Sequence, residues 1–330
     1  MKKVSEDTVK KIKDIHNKLI KEVEKVIIGQ REVLERIFIA FLARGHAIII
    51  GVPGLAKTLL IRAMAQALNL NFNRVQFTPD LMPSDIIGSE ILEEDKKGKR
   101  VFKFVKGPIF TNILLADEIN RTPPKTQSAL LQAMQERMVT VNGKTYKLDE
   151  PFFVLATQNP IEQEGTYPLP EAQLDRFFFS INIDYPDEKA ELEIAKKSTE
   201  ENLNKIKKIA TKNELLKIFD IVQDIPIADS VLNYAVKLIR LTRPAKTNPV
   251  EAVNEFVKWG AGPRASQYLV LASKINALLN GRFSVSINDI NFVAYNILSH
   301  RIILNFSAEA ENINVKFIID SIIKKLVKSK

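Results

Sequence analysis

The sequence predicts an α/β fold. A central parallel five-stranded sheet flanked by helices carries two inserted β-hairpins and is followed by an all-helical C-terminal region. Three observations predict it. Short apolar runs rich in β-branched residues alternate with stretches of helical periodicity, and such alternation closes into a parallel sheet through right-handed crossovers. Two pairs of strand-like runs are joined by turn or charged residues instead of helices. After Tyr185-Pro186-Asp187 the strand patterns stop, and helical spacing dominates residues 187–325.

In chain order, Val9, Ile12, Ile15, Leu19, Val23 and Val26 fall at helical spacing and predict an amphipathic helix over residues 8–27. Ile28-Gly29-Gln30 breaks it, and a second helix runs from Glu32 to Ala43. His46–Ile50 reads as a strand buried on both faces. Four further strands are predicted at Arg74–Phe77, Ile113–Ala116, Phe152–Thr157 and Phe177–Ile183, with helices at Leu59–Leu68 and Lys125–Arg137. Val139–Val141 and Lys144–Tyr146 flank Asn142-Gly143, the pair that suits a type I′ hairpin turn. Ile91-Leu92 and Val101–Phe104 flank the charged segment Glu93–Arg100 as a second hairpin. Residues 1–25 are expected to form an N-terminal helix, 26–186 a core domain and 187–330 a helical domain. Trp259 and the run Phe177-Phe178-Phe179 are expected in the core, and Lys324, Lys325 and Lys328 to Lys330 in a frayed basic tail.

Composition narrows the chemistry. The chain has 330 residues, 45% apolar and 26% charged, enough for a large core and about two domains. It has no cysteine, which removes disulfides, thiolate nucleophiles, Cys-type zinc sites and iron–sulfur clusters. His16, His46 and His300 are too scattered for a His-rich metal site and read as structural or surface residues. A net charge of +9 permits nucleic acid, acidic partners or phosphate ligands. Its simplest reading is a solvated lysine-rich surface. No apolar region follows the N-terminal charges as in a signal peptide. The longest apolar stretch, Ala47–Ala56, falls short of the ~20 residues of a membrane span. The expectation is a cytoplasmic protein without membrane insertion.

Gly51-Val52-Pro53-Gly54-Leu55-Ala56-Lys57-Thr58 follows a strand and opens a helix, the context of a P-loop. Successive backbone N–H groups there wrap a polyphosphate, helped by the helix N-terminus. Lys57 is placed for the β and γ phosphates and the Thr58 hydroxyl for Mg²⁺. Ala56 stands where the pattern usually has glycine. Ile113-Leu114-Leu115-Ala116-Asp117-Glu118 is a strand ending in two carboxylates. Asp117 is placed to complete the Mg²⁺ shell through water, and Glu118 to orient or polarise an attacking water. A third strand delivers Asn159 at its C-terminal end, where ligands of open α/β sheets bind. Asn159 can hold the attacking water or the γ-phosphate, although Asn159-Pro160 alone reads equally as a turn.

These segments resemble the MoxR-type AAA+ ATPases, and the resemblance covers nearly the whole chain. It is carried by Ile28-Gly29-Gln30, Gly51 to Thr58, Leu115-Ala116-Asp117-Glu118-Ile119-Asn120-Arg121, Pro123 to Leu131, Ala156-Thr157-Gln158-Asn159-Pro160, and the specific run Gly165 to Phe177. Gly262-Pro263-Arg264-Ala265 and Ser299-His300-Arg301 look like the family's lid segments. Ala56 is common in P-loops of this family. The resemblance implies a P-loop AAA+ core with a C-terminal all-α lid. It implies that Gly51, Val52, Pro53, Gly54, Leu55, Ala56, Lys57 and Thr58, with Leu59, bind ATP as Walker A, and that Asp117 and Glu118 form Walker B. Asn159 matches sensor 1 and Arg264 sensor 2. Arg176 matches an arginine finger that reaches the γ-phosphate of a neighbouring subunit. Ile28 and Gly29 match the adenine contact, and the two hairpins face a ring pore or a partner.

The implied activity is Mg²⁺-dependent ATP hydrolysis by a self-assembled ring, a hexamer. It would remodel or mature a partner protein, with von Willebrand A domain proteins as the partner class. A nucleic-acid motor is an alternative motivated by the net charge, without a helix-turn-helix or base-stacking motif to support it. An ATP-binding switch with little turnover is another, and the presence of both Glu118 and Arg176 argues against it.

Overall fold

Two amphipathic helices open the chain, α1 (Glu6–Val23), capped by the Ser5 hydroxyl, and α2 (Arg31–Leu42). The computed structural model describes residues 5–94, 100–161, 165–196 and 203–328. Next come β1 (Ala47–Ile50), α3 (Lys57–Ala67), β2 (Phe72–Gln76) and α4 (Pro83–Ile87). A hairpin of β3 (Gly88–Glu94) and β4 (Arg100–Lys106) leads to β5 (Ile113–Asp117) and α5 (Pro124–Glu136). A second hairpin, β6 (Met138–Val141) and β7 (Lys144–Lys147), precedes β8 (Phe153–Gln158), α6 (Glu171–Leu174) and β9 (Phe179–Asn182).

The five predicted sheet strands pair in the order β2-β5-β8-β1-β9, all parallel. Alternate side chains feed two apolar layers, as the two-residue period of a strand requires. Ile49, Ile113, Leu115, Phe153, Leu155 and Ile181 face the layer of α1 to α3. Ile48, Leu114, Val154 and Ala156 face α5 through Leu130, Leu131 and Met134. Each fully buried side chain of this size stabilises the fold by about 1.5–3 kcal/mol.

Both hairpins form where turn chemistry places them. Asn142 (φ 48°) and Gly143 (φ 77°) both take positive φ, as a type I′ turn demands. The hairpins pack together: Phe104 stacks on Tyr146 at 4.1 Å, and Glu90 accepts from Asn142 and Lys144. Residues 95–99 of the predicted charged connection lie outside the described residues.

Beyond β9 the chain forms α7 (Glu188–Lys196), α8 (Lys212–Gln223), α9 (Asp229–Leu241) and α10 (Glu251–Phe256). These are followed by α11 (Pro263–Leu279), α12 (Ile287–Leu298), α13 (Phe306–Ala310) and α14 (Val315–Lys328). Ala265, Leu269, Ala272, Ile275 and Leu278 bury α11 among α8, α9 and α12, and it also touches α1 and α2.

Details depart from expectation. A short antiparallel pair, β10 (Val257–Trp259) with β11 (Ile303–Leu304), interrupts the helices. Trp259 sits on this open two-stranded ladder and is 65% exposed, not in the core. Phe177 and Phe178 are buried as expected but precede β9. Lys324, Lys325 and Lys328 belong to α14, whose apolar face of Ile318, Ile319, Ile322 and Leu326 is buried, so they form no frayed tail. Residues 1–4 of the expected N-terminal segment, and Lys330 with its preceding residue, lie outside the described residues.

His46, at the entrance to β1, is structural. Its Nε2–H donates to the Met134 carbonyl at 3.0 Å, and its Nδ1 accepts the Val154 N–H at 3.0 Å. Burial pulls its pKa from 6.5 to about 4. Between those values the unfolded chain binds a proton that the fold refuses. Stability should therefore fall as pH drops from 6.5 towards 4, by about 3 kcal/mol from this group. Urea denaturation across that range, compared with His46→Gln, checks it. The variant should lose part of the slope; an unchanged slope contradicts the assignment.

Candidate active site

A parallel sheet delivers every strand's last residue to one edge, where ligands of open α/β sheets bind. Here the register sets Ile50 beside Gln158 and Gln76 beside Asp117. The Gly51 N–H donates to the Gln158 carbonyl at 3.2 Å, so the glycine turn after β1 starts beside Asn159.

The turn is sterically specified. A Cβ on Gly51 would lie 2.4 Å from Ile183 Cγ2. Gly54 takes φ +87°, and buried Leu55 anchors the loop. Ala56 adopts φ 54°, ψ 25°, a left-handed conformation that costs an L-residue about 1–2 kcal/mol. The position thus demands what glycine supplies freely, and the chain tolerates a methyl group there. Directly after it α3 begins at Lys57, with Thr58 and Leu59 in its first turn, where backbone N–H groups have no intrahelical acceptor. Lys57 Nζ donates to the Gly51 carbonyl at 2.6 Å. Burial lowers its pKa, while Asp117 and Glu118 push it back up.

The carboxylates are held by a network. Thr157 Oγ1 donates to Asp117 Oδ1 at 2.5 Å and accepts the Glu118 N–H at 2.9 Å. Arg74 donates to Asp117 Oδ2 through Nε at 3.0 Å and Nη2 at 2.7 Å. Glu118 sits in the left-handed region at φ 58°. Its Oε2 accepts from Gln76 Nε2 at 2.6 Å and Arg121 Nη1 at 3.0 Å.

Asn159 is buried. Its Oδ1 accepts the Ile161 N–H at 3.3 Å, but its Nδ2 has no partner among the described residues. A buried donor left unpaired costs about 1–3 kcal/mol, and an oxygen of a phosphate or of an attacking water would satisfy it. The free N–H groups of α3 and Lys57 fit a polyphosphate in the same place. No group of three or more His, Cys, Asp or Glu suited to a metal occurs among the described residues. A single carboxylate with Thr58 suits Mg²⁺, which keeps waters and takes phosphate oxygens. Ile28 and Gly29 join α1 to α2, and Gly29 packs on Ala190 and Pro186. Just before Pro186, Tyr185 lines a cavity of about 200 Å³ with Gly51, Val52 and Pro160.

Arg176 and Arg264 are not brought to this edge. The Phe178 N–H donates to the His46 carbonyl, five residues before Gly51. At about 3.3 Å per residue, that places the Phe178 backbone, two residues after Arg176, roughly 16 Å from Gly51. Arg264 meets Arg301 instead, on the residue before Arg176. Arg264 Nη1 donates to Asp175 Oδ2 at 2.7 Å, and Arg301 Nε to Asp175 Oδ1 at 2.7 Å. Arg301, its side chain 2% exposed, also donates to the carbonyls of Asp175, Phe177 and Ile297. Among the described residues Arg176 makes no side-chain hydrogen bond or ion pair.

Sequence reasoning missed Arg74, Gln76, Arg121, Thr157, Asp175 and Arg301 as parts of these clusters. Arg74 and Gln76 do carry a signal, two polar residues at strand spacing on one face. Asp175 carries none beyond its position next to Arg176.

Comparison with known proteins places these features. The family model described as ATPase family associated with various cellular activities (AAA) matches residues 46–179, and the AAA lid domain model matches 250–322. The chain is 41% identical over 303 residues to Chaperone MoxR1 of Mycobacterium tuberculosis, covering 92% of this chain and 79% of that one. It is 30% identical to Protein MoxR of Methylorubrum extorquens, covering 86% of each. A crystal structure of a proposed ATPase from Cytophaga hutchinsonii superposes with a TM-score of 0.88 at 46% identity, covering 96% of both chains.

Relief of the Ala56 strain is measurable. Ala56→Gly should raise the unfolding free energy, by up to about 1 kcal/mol after glycine's greater unfolded-state entropy is subtracted. Chemical denaturation checks this; a destabilised variant would contradict the strained geometry.

Proposed function

Because the chain belongs to the MoxR-type AAA+ ATPases, we propose that it hydrolyses ATP with Mg²⁺ as a ring, a hexamer, and remodels or matures a partner protein in the cytoplasm. Residues 26–186 serve as the nucleotide-binding core, 187–330 as the lid and 1–25 as an N-terminal helix. The observation that carries this reading is the buried Asn159 Nδ2, without a partner among the described residues, on the sheet edge that also presents Lys57, Asp117 and Glu118.

Gly51 to Leu59 hold the phosphates, and Ile28 and Gly29 flank the adenine. Thr58 and Asp117 would hold magnesium, which when bound would supply positive charge to the β and γ phosphates. Glu118 polarises the water that attacks the γ-phosphorus, and Asn159 orients that water or a γ-phosphate oxygen. Lys57 stabilises the charge that develops on the phosphate oxygens. Arg176 and Arg264, the latter bound to Asp175 beside Arg176, act on the nucleotide of the neighbouring subunit. Their distance from Lys57 supports action in trans for both. The resemblance suggests a von Willebrand A domain protein as the partner; nucleic acid has no part in this reading.

Two substitutions test it. Lys57→Ala should abolish ATP binding measured with a fluorescent nucleotide. Glu118→Gln should retain binding and lose at least about a hundredfold in turnover, the scale of one general-base contact. Normal hydrolysis by Glu118→Gln contradicts its assignment. Turnover per subunit should also rise with protein concentration as rings assemble; no turnover at any concentration would instead leave an ATP-binding switch.

A further inference from the structure

We propose that Arg74 is a resident cation at the magnesium carboxylate: a positioning residue that neutralises Asp117 before metal binds and is displaced when metal arrives. The proposal rests on the reading of Asp117 as the carboxylate of the Mg²⁺ shell.

The geometry starts from the sheet. β2 is an edge strand, and its Arg74 and Gln76, two residues apart, point to the same face. Gln76 is in register with Asp117, so both side chains reach that carboxylate's side of β5. A carboxylate offers about four lone-pair sites. Arg74 Nε and Nη2 occupy Oδ2, and Thr157 occupies one site on Oδ1. One site therefore remains for a metal-bound water while Arg74 is in place. A guanidinium and a dication sharing one carboxylate also repel each other.

The two partners differ in freedom. The Arg74 side chain is 47% exposed and that of Asp117 13%. Arg74 can swing into solvent and keep its hydration, whereas Asp117 stays fixed by Thr157. Displacement is thus a movement of Arg74 alone.

The movement is felt at the second carboxylate. Arg74 Nη2 also donates to Gln76 Oε1 at 2.7 Å, which turns the other end of that amide, Nε2, towards Glu118 Oε2 at 2.6 Å. With Arg74 on Asp117, the Gln76 amide has one orientation and Glu118 is tied to it. When Arg74 leaves, that amide loses its fixed orientation. A metal at Asp117 therefore weakens one of the two ties on Glu118, that from Gln76, while Arg121 keeps the other.

The test counts bound metal directly. Mn²⁺ is titrated into the ADP-bound protein and free Mn²⁺ is read by electron paramagnetic resonance. Arg74→Ala and Arg74→Gln should lower the Mn²⁺ concentration at half-saturation by about tenfold, the scale of outer-sphere effects on metal sites. Arg74→Lys, which keeps the charge, should stay near the wild type. ADP affinity in EDTA should be unchanged in all three, because Arg74 does not hold phosphate. Mn²⁺ binding that is unchanged or weaker in both Arg74→Ala and Arg74→Gln overturns the proposal, as does a loss of metal-free ADP affinity. Asp117→Asn separates the two layers of the argument: if Mn²⁺ still binds it with wild-type affinity, the assignment of Asp117 fails, and with it the premise.

Discussion

The parallel register of one five-stranded sheet is the constraint from which the active site follows. Because all five strands run the same way, every C-terminal strand end falls on a single edge. Four of those ends supply the glycine turn after Ile50, Gln76, the Asp117-Glu118 pair and Asn159. No single helix or loop could bring these residues together, since they lie up to 108 positions apart in the chain. The register also explains why β5 and β8 are apolar until their last residues. They are buried on both faces, and polarity is tolerated only where the strands emerge, or where Thr157 spends its hydroxyl on Asp117 and Glu118.

The same polarity gives the sheet an opposite edge with a different task. There Arg301 is buried and ties the carboxylate and carbonyl of Asp175 and the carbonyl of Phe177 to the lid. Removing one member of a buried ion pair commonly costs about 3–5 kcal/mol, so this clamp fixes the lid against the segment that carries Arg176. Arg264 joins the same aspartate from the start of α11. Movement of the lid is thereby linked, through one carboxylate, to the segment that carries Arg176. The ATP site of one subunit and the Asp175-Arg176 corner of the next form the two halves of the proposed catalytic unit.

Much of this was legible in the residues because the signals are local. Ile48-Ile49-Ile50 before a glycine turn, Leu114-Leu115-Ala116 before two acids, and Asn142-Gly143 between alternating strands each state their geometry within a few positions. At Ala56 the sequence shows only a departure from the usual glycine; the left-handed φ that explains the usual glycine is visible in the structure alone. What was not legible depends on contacts between distant segments. Arg301 meets Asp175 across 126 positions and Arg74 meets Asp117 across 43, and neither pairing leaves a mark on its neighbours in sequence. Trp259 departs from the expectation that large aromatics pack inside, because it rides an exposed two-stranded ladder. The lysines near the C-terminus look like a tail until the apolar stripe of α14 is seen to dock.

The central claim, that each site is completed by the next subunit, is tested most directly by mixing two inactive variants. Under the proposal, Glu118→Gln would have a dead site and an intact finger, and Arg176→Ala an intact site and no finger. Each alone should turn over little ATP. Co-assembled, they should regain turnover, because an Arg176→Ala site receives its arginine from a Glu118→Gln neighbour. Mixed assemblies that form and remain as inactive as the separate variants would contradict a site shared between subunits.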